Sequence, residues 1–157
     1  VSALGAQNIG AGKRQRANET LRYAVMITVG FGIIVGIFMQ FFASPVVALF
    51  TDASDASGAE VVRLGGQYLR GYVWDCMFAR IHFSFSGYFC ACGKSGISFL
   101  HNIIAITLVR IPGVYQTSTL FPDTLFPMGL ATAAGSLLSA IICVVAFTIL
   151  NQKEGQK

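Results

Sequence analysis

The stretch YAVMITVGFGIIVGIFMQFFASPVVALFT, residues 23–51, runs for 29 residues without a charged side chain. At about 1.5 Å per residue, a helix of this length exceeds the ~30 Å hydrocarbon core of a membrane. Three further apolar runs follow, at about 72–92, 97–120 and 125–150. The sequence therefore predicts an all-α membrane protein with four transmembrane helices.

The composition supports a location in the membrane. Hydrophobic residues make up 54% of the chain and charged residues 11%, whereas soluble domains have about 25% charged residues. The run at 23–51 is internal and too long for a secretory signal peptide. Residues 1–12 resemble the end of a preceding helix followed by a loop, so we expect the chain to be the C-terminal part of a longer protein.

Basic and acidic residues alternate between the connections of the predicted spans. The main basic residues are Lys13, Arg14, Arg16 and Arg22, then Lys94, then Lys153 and Lys157; the acidic ones are Asp52, Asp55, Glu60 and Asp123. The positive-inside rule then places the N-terminal segment, the Lys94 loop and the C-terminus in the cytoplasm. Because orientation in the lipid bilayer explains the net charge of +4, we expect no nucleic-acid partner.

The second predicted span is the most polar. A period of 3.6 residues places six residues on one stripe: Tyr68, Tyr72, Asp75, Ala79, His82 and Ser86. The rest of this helix is rich in aromatic residues. An ionisable side chain facing lipid near the membrane centre costs at least ~2.5 kcal/mol. The stripe is therefore expected to face a water-filled cavity or the interior of a helix bundle.

Three interpretations of Asp75 and Arg80 stay open at this stage. The two residues could be held by neighbouring helices for packing specificity, or they could bind a coupling cation, a proton or a substrate along a transport pathway. In the third interpretation, Asp75 is interfacial and reaches headgroup water. Arg80 follows Asp75 by five residues and points away from it, so each needs another partner. His82 titrates most easily near neutrality and is a candidate proton carrier.

Small residues predict where the spans pack closely. Gly32 and Gly36 in the first span have the spacing that lets two helix backbones approach each other. Thr132, Ser136 and Ala140 form a similar row in the last span. We therefore expect the last helix to be buried among the others.

The third predicted span has its polar residues near its two ends. Pro112 is expected to bend or end this helix, as Pro45 does in the first span. Arg110 is expected to extend outward to the interface. His101 is expected to be an interfacial histidine that caps a helix or bonds to a neighbouring one.

No pattern of residues indicates an enzyme. The sequence has no Ser/His/Asp or Cys/His arrangement, no paired carboxylates and no metal-ligand spacing. Cys90 and Cys92 lack the two-residue spacer typical of zinc and redox motifs. We therefore predict no catalytic residues, no metal and no cofactor.

Several motifs resemble one family of membrane transporters. The segment VSALGAQNIGAGK, residues 1–13, followed by Arg16 and Ala17, resembles a helix end and cytoplasmic loop of multidrug and toxin extrusion (MATE) transporters. Five further segments resemble, in order and spacing, the last three helices of that family: residues 86–88, 93–95, 101–102, 110–112 and 120–132. The resemblance covers nearly the whole chain.

The resemblance implies the final four helices, and the end of a fifth, of a twelve-helix protein with two six-helix lobes. It also implies secondary active export of small cationic lipophilic drugs in exchange for sodium or protons, with the N-terminal lobe outside this chain. We expect a bacterial plasma membrane. The family's acidic position in the C-terminal lobe aligns with Ala79, one turn from Asp75, so Asp75 could replace it or the site could be absent.

Two other functions stay open. A lipid-linked oligosaccharide flippase of the same superfamily would need a strongly cationic cavity, to which Arg80 alone is expected to contribute. A non-transporting membrane scaffold would need only the small-residue faces, and it would leave the polar stripe without a role.

The topology can be tested by labelling single cysteines placed at Gln15 and Gln156. Because both positions flank basic clusters, we expect a membrane-impermeant thiol reagent to label them only after the membrane is opened. Labelling of either cysteine in intact cells would overturn this orientation.

Overall fold

The computed structural model describes residues 1–51 and 55–155, with only the backbone given for residues 153–155. Asp52, Gln156 and Lys157 therefore lie outside the described residues, as do the side chains of Lys153 and Glu154. Every regular element in the described part is helical. The predicted all-α fold class is confirmed.

Six α-helices and one π-helical turn follow each other along the chain. They are α1 (Ser2–Gly10), α2 (Arg14–Ala48), α3 (Ala56–Ala91), α4 (Ser95–Ala105), the π-turn (Ile106–Arg110), α5 (Ile111–Leu120) and α6 (Phe126–Gly155). The segment from α4 through the π-turn to α5 is one continuous helical rod.

Two tight turns of similar sequence connect helices at the same end of the molecule. Gly12 precedes Lys13 between α1 and α2, and Gly93 precedes Lys94 between α3 and α4. Both glycines have φ of 71°, in the left-handed region that side chains with a Cβ disfavour. These glycines allow each chain reversal to be made in a few residues.

Three helical segments of the described chain are long and apolar enough to cross a membrane: Arg14–Ala48, Ser95–Leu120 and Phe126–Gln152. Helix α3 ends at Ala91 and so contains all but the last residue of the predicted span 72–92, but it is not among these three segments. The physical reason is its polar content, which includes Asp75, Arg80 and His82. Passage of α3 through the membrane stays a prediction.

The π-turn lies directly before Pro112 in the helical rod. Proline has no N–H and its ring clashes with the carbonyl group four residues earlier, so an undistorted α-helix cannot accommodate it. A wider turn at Ile106–Arg110 relieves this clash and changes the direction of the residues within it. The helical rod therefore continues to Leu120. Pro45 lies in α2, which ends three residues later at Ala48.

Helix α3 is the central element, and it touches α2 on one side and α6 on the other. On the α6 side the backbones meet at two glycines: a Cβ on Gly129 would lie 2.6 Å from the carbonyl oxygen of Tyr68, and one on Gly71 2.6 Å from that of Phe126. On the α2 side, a Cβ on Gly32 would lie 3.2 Å from Met77. The close approach predicted at Gly32 is confirmed, whereas nothing lies within 4 Å of a Cβ on Gly36.

The burial of the last helix is confirmed. Thr132, Ser136 and Ala140 are buried along the predicted row. Toward the Gly93 turn, the fully buried Phe89 and Tyr88 form the centre of an apolar cluster that includes Cys143. This packing fixes the position of α6 against the polar face of α3.

We expect Gly129→Ala to lower the melting temperature of the full-length protein in detergent. The new methyl group would push apart two backbones that are in contact, and such overpacking typically costs about 1–3 kcal/mol. Gly30→Ala is the matched control, since a Cβ there meets nothing within 4 Å. Equal melting temperatures for the two variants would contradict the close crossing of α3 and α6.

Candidate functional site

A cavity of about 390 Å³ lies between α3, the α4 to α5 rod and α6. Its walls are formed by Tyr72, Asp75, Cys76, Ala79, Arg80, His82, Phe83, Asn102, Ala105, Ile106, Arg110, Gly135, Ser136 and Ser139. The cavity is therefore lined by ionisable, hydroxyl and aromatic side chains from three helical segments.

Asp75 is a buried carboxylate in this cavity with two hydrogen-bond donors. It is 4% exposed, and its Oδ1 accepts hydrogen bonds from Nη2 of Arg110 at 2.8 Å and from the hydroxyl of Ser136 at 2.6 Å. Nη2 of Arg110 also donates to the Ser136 oxygen at 2.8 Å. We call these three residues the Asp75 triad. The triad joins α3, the π-turn and α6.

The position of Arg110 corrects the sequence analysis. Arg110 was expected to reach outward to the membrane interface, and this prediction is wrong because its guanidinium turns inward to Asp75. Arg110 is the last residue of the π-turn, whose widened geometry changes the direction of its side chain. The interfacial interpretation of Asp75 is also wrong, since the carboxylate is buried and paired within this chain.

The predicted stripe on α3 is largely reproduced. Tyr72, Asp75, Ala79 and His82 all line the cavity. Ser86 lies one turn further along, and its hydroxyl shares a 2.8 Å hydrogen bond with Nε2 of His101. Helical spacing was sufficient to find this stripe because α3 is regular through the whole segment.

The sequence predicted that Arg80 would not pair with Asp75, because it follows Asp75 by five residues. The structure confirms this, since Asp75 pairs with Arg110 instead. The guanidinium carbon of Arg80 lies 5.0 Å from the centre of the Phe31 ring on α2, a geometry suited to a cation–π interaction. Arg80 also lines the cavity. The side chain therefore connects the edge of the cavity to α2.

Two histidines lie side by side, with ring centres 5.5 Å apart, and His82 of this pair lines the cavity. His101 is 0% exposed and shares hydrogen bonds with the hydroxyls of Ser86 on α3 and Ser139 on α6. The predicted bonds of His101 to neighbouring helices are confirmed, while its depth relative to the membrane interface stays a prediction. His82 is 3% exposed, and its Nδ1 has no hydrogen-bond partner among the described residues.

Sequence reasoning did not assign Asn102, Ser136 or Ser139 to this cavity. The sequence identified Ser136 only as a small packing residue, and Asn102 only as part of the segment 101–102 that resembles the transporter family. The available signal was weak: Ser136 and Ser139 are three residues apart and so share one face of α6. A partner for Asp75 on that face could not be deduced from spacing, because it depends on how α3 crosses α6.

The described part of the chain contains no group of three His, Cys, Asp or Glu side chains that could hold a metal ion. The polar groups that line the cavity are one carboxylate, two guanidiniums, one imidazole, one thiol, one amide and several hydroxyls. Both bonds of Asp75 within the triad end on Oδ1, so Oδ2 takes no part in the triad.

Comparison with known proteins gave one match. The family model described as MatE matches residues 1–116, more than half of the chain, from α1 through Arg110 and into α5. The matched region contains all the cavity residues of α3 and of the helical rod, but not those of α6. No curated protein and no solved structure matched the chain.

The Asp75 triad leads to a test of stability. We expect Asp75→Asn or Arg110→Gln alone to lower the stability of the full-length protein, because each leaves a charged partner without its counterion, typically at a cost of about 1–3 kcal/mol. The double variant removes both charges and should regain most of that loss. Melting temperatures in detergent would measure the effect.

The control for this test is the exposed ion pair between Arg63 and Glu60, in which Nη2 of Arg63 lies 2.6 Å from Oε1 of Glu60. Arg63→Gln should leave the melting temperature unchanged, because an exposed pair contributes little. If the double variant loses as much melting temperature as the two single variants together, the ion pair between Asp75 and Arg110 is contradicted.

Proposed function

Since the chain belongs to the MatE family of membrane transporters, we propose that it forms part of a secondary active efflux transporter. The proposed reaction is export of small cationic lipophilic drugs in exchange for sodium or protons. Asp75 is the proposed coupling residue, and the cavity beside it forms part of the substrate pathway.

One observation carries this proposal: a buried carboxylate on a helix of a membrane protein lines a cavity and has one oxygen outside its ion pair. Ionisable groups within membrane helices are costly and commonly belong to ion or substrate pathways. A purely structural ion pair would not need a cavity of about 390 Å³ beside it. Packing specificity alone therefore explains less of the geometry.

The proposed coupling step acts on the Asp75 triad. A proton or sodium ion at Oδ2 would reduce the attraction between Asp75 and Arg110, and so favour a state in which the pair is broken. Arg110 lies at the end of the π-turn, which provides a local change of backbone geometry at that point. Antiport follows if the coupling ion and the substrate favour opposite states of this pair.

The geometry supports the proposal that Asp75 takes the role of the acidic residue that other family members have one helical turn away. That position aligns with Ala79, and both Ala79 and Asp75 line the same cavity. The two residues are one helical turn apart, so a carboxylate at either presents its charge to the same space. Asp75 is therefore proposed to substitute for the acid that Ala79 lacks.

The aromatic and imidazole side chains complete the proposed site. Tyr72 and Phe83 line the cavity, and their rings could bind a lipophilic cation through apolar contact and cation–π attraction. His82 is the proposed proton carrier if protons are the coupling ion. The N-terminal lobe of the same protein is the proposed partner that forms the other wall of the pathway in the plasma membrane.

A lipid-linked oligosaccharide flippase is the second candidate. It is favoured by Arg110, which joins Arg80 at the cavity, so this cavity is more cationic than the sequence predicted. Asp75 reduces the positive charge that such a substrate would require. Efflux is for this reason the first proposal.

Asp75→Asn in the full-length protein tests the coupling site. The change removes the charge at nearly constant volume, so we expect at least a tenfold loss of ion-driven dye efflux in membrane vesicles, measured per amount of protein in the membrane. Asp123→Asn is the matched control, because Asp123 is exposed in the turn between α5 and α6. Normal efflux and ion dependence in a well-expressed Asp75→Asn variant would disprove the assignment.

His82→Phe tests the coupling ion. If protons drive efflux, this variant should change the pH dependence of dye efflux, because it removes the imidazole that lines the cavity on α3. If sodium drives efflux, the pH profile should match that of the wild type. If His82→Phe changes only the sodium dependence of efflux and leaves its pH dependence unchanged, His82 is not a proton carrier.

A further inference from the structure

A fully buried histidine connects α3, α4 and α6 through two hydrogen bonds. His101 on α4 is 0% exposed. Its Nε2 shares a 2.8 Å hydrogen bond with the hydroxyl of Ser86 on α3, and its Nδ1 shares one with the hydroxyl of Ser139 on α6. Each nitrogen of the imidazole therefore has a hydroxyl partner, and the two partners lie on different helices.

The partners of His101 are groups that can pass a proton on. A neutral imidazole donates from one ring nitrogen and accepts at the other, and a serine hydroxyl does both. A proton that arrives at one nitrogen can be balanced by the release of the proton on the other nitrogen. The ring gains one proton and loses one, so no net charge stays on a side chain that would be costly to bury in its charged form.

One end of this hydrogen-bonded chain opens on the cavity beside Asp75. Ser139 lines that cavity together with Asp75 and Ser136. Ser136 bonds directly to Asp75 and lies three residues before Ser139, on the same face of α6. The cavity of about 390 Å³ has room for water between Asp75 and Ser139, because one water molecule takes up about 30 Å³.

The other end lies toward the turn that contains Lys94. Ser86 follows Asp75 along α3, which ends five residues beyond Ser86 at Ala91. Ser86 is half-buried, and its carbonyl oxygen accepts a 3.2 Å hydrogen bond from the hydroxyl of Ser98. That hydroxyl lies 3.8 Å from the thiol of the exposed Cys90. Polar groups therefore continue from Ser86 to the surface, at the end of the molecule that the sequence predicts to be cytoplasmic.

We propose that Ser139, His101 and Ser86 form a proton path between the Asp75 cavity and the cytoplasmic end of the bundle, with His101 as the relay residue. The inference rests on the proposed efflux function and specifies its coupling ion as the proton. It adds to that function a defined exit for the coupling proton after the proton has left the cavity.

The transfer balances at every group. A proton from the cavity reaches the oxygen of Ser139, which gives its own proton to Nδ1 of His101. Nε2 of His101 then releases its proton to the oxygen of Ser86, which gives its own to water at the cytoplasmic end. One proton enters, one leaves, and all three side chains are neutral at the start and at the end. Return of the imidazole to its first tautomer prepares it for the next proton.

Other titratable and charged groups lie near both ends of the path. At the cavity they are Tyr72, Asp75, Cys76, Arg80 and His82 on α3 and Arg110 on the π-turn, and toward the Lys94 turn they are Tyr88 and Cys90 on α3 and Cys143 on α6. The ring centre of His82 lies 5.5 Å from that of His101. His101 is assigned as the relay because an imidazole exchanges protons near neutral pH, whereas thiols and phenols ordinarily titrate at higher pH.

The test separates proton movement from dye movement in the full-length protein, reconstituted into phospholipid vesicles. Efflux of a fluorescent cationic dye is driven by a pH gradient, and a pH indicator inside the vesicles records proton movement. A second assay measures the exchange of dye for dye at equal pH on both sides, which moves no net proton. The melting temperature of each variant reports its folding.

His101→Gln is the main variant, because its amide can bond to hydroxyls but cannot relay a proton. We expect gradient-driven efflux and proton movement to fall at least about tenfold, in keeping with the usual effect of losing a proton-transfer group. Dye exchange should stay within about twofold of the wild type, because a relay that acts only on the proton does not limit it. Ser139→Ala is a second variant of nearly constant shape, with the same expected result.

Ser84→Ala is the matched control for Ser139→Ala. Ser84 is also a buried serine, 8% exposed, but its hydroxyl donates to the carbonyl oxygen of Arg80 within α3 and takes no part in the path. We expect this variant to keep gradient-driven efflux, proton movement and dye exchange.

Normal gradient-driven efflux in well-folded His101→Gln and Ser139→Ala variants would overturn the relay. Equal losses of dye exchange and gradient-driven efflux in both variants would also overturn it, because a purely structural role predicts that result. A wild-type protein that exports dye on a sodium gradient and moves no protons would overturn the relay while leaving the efflux function intact. Proton movement that needs His101, without export or exchange of dye, would instead refute the efflux function and keep the relay.

Discussion

The ion pair between Asp75 and Arg110, completed by Ser136, is the interaction on which the rest of this structure depends. It places two opposite charges and a hydroxyl within 2.8 Å of each other among apolar helices. Either charge alone would be expensive to bury in such surroundings, and together they are tolerated because each satisfies the other. The three helical segments that supply these groups are therefore held in one arrangement around the cavity.

Two local features make this arrangement possible. Gly71 and Gly129 let the backbones of α3 and α6 touch, which brings the Ser136 face of α6 within reach of Asp75. The π-turn that accommodates Pro112 directs Arg110 inward from the helical rod. The π-turn departs from an ideal α-helix, and such departures are common at functional sites. The same contacts that stabilise the bundle thus define the charged wall of the cavity.

The sequence was sufficient for the fold class and for half of the site. The uncharged run at 23–51 predicts a membrane helix from length alone, and the period of 3.6 residues places Asp75 and His82 on one face because α3 is regular. The direction of Arg110 could not be predicted, because a π-turn changes the helical phase and Pro112 indicates a distortion without indicating its geometry. The burial of His101 depends on hydroxyl groups of α3 and α6, whose positions follow from helix crossing rather than from spacing.

The central claim is that a coupling ion and Arg110 compete for the carboxylate of Asp75. Infrared difference spectroscopy of the reconstituted full-length protein, recorded on adding sodium or lowering the pH, observes that carboxylate directly. The account predicts a change in a carboxylate band that is absent in Asp75→Asn and altered in Arg110→Gln. A difference spectrum that is the same in the wild type and in Asp75→Asn would contradict it.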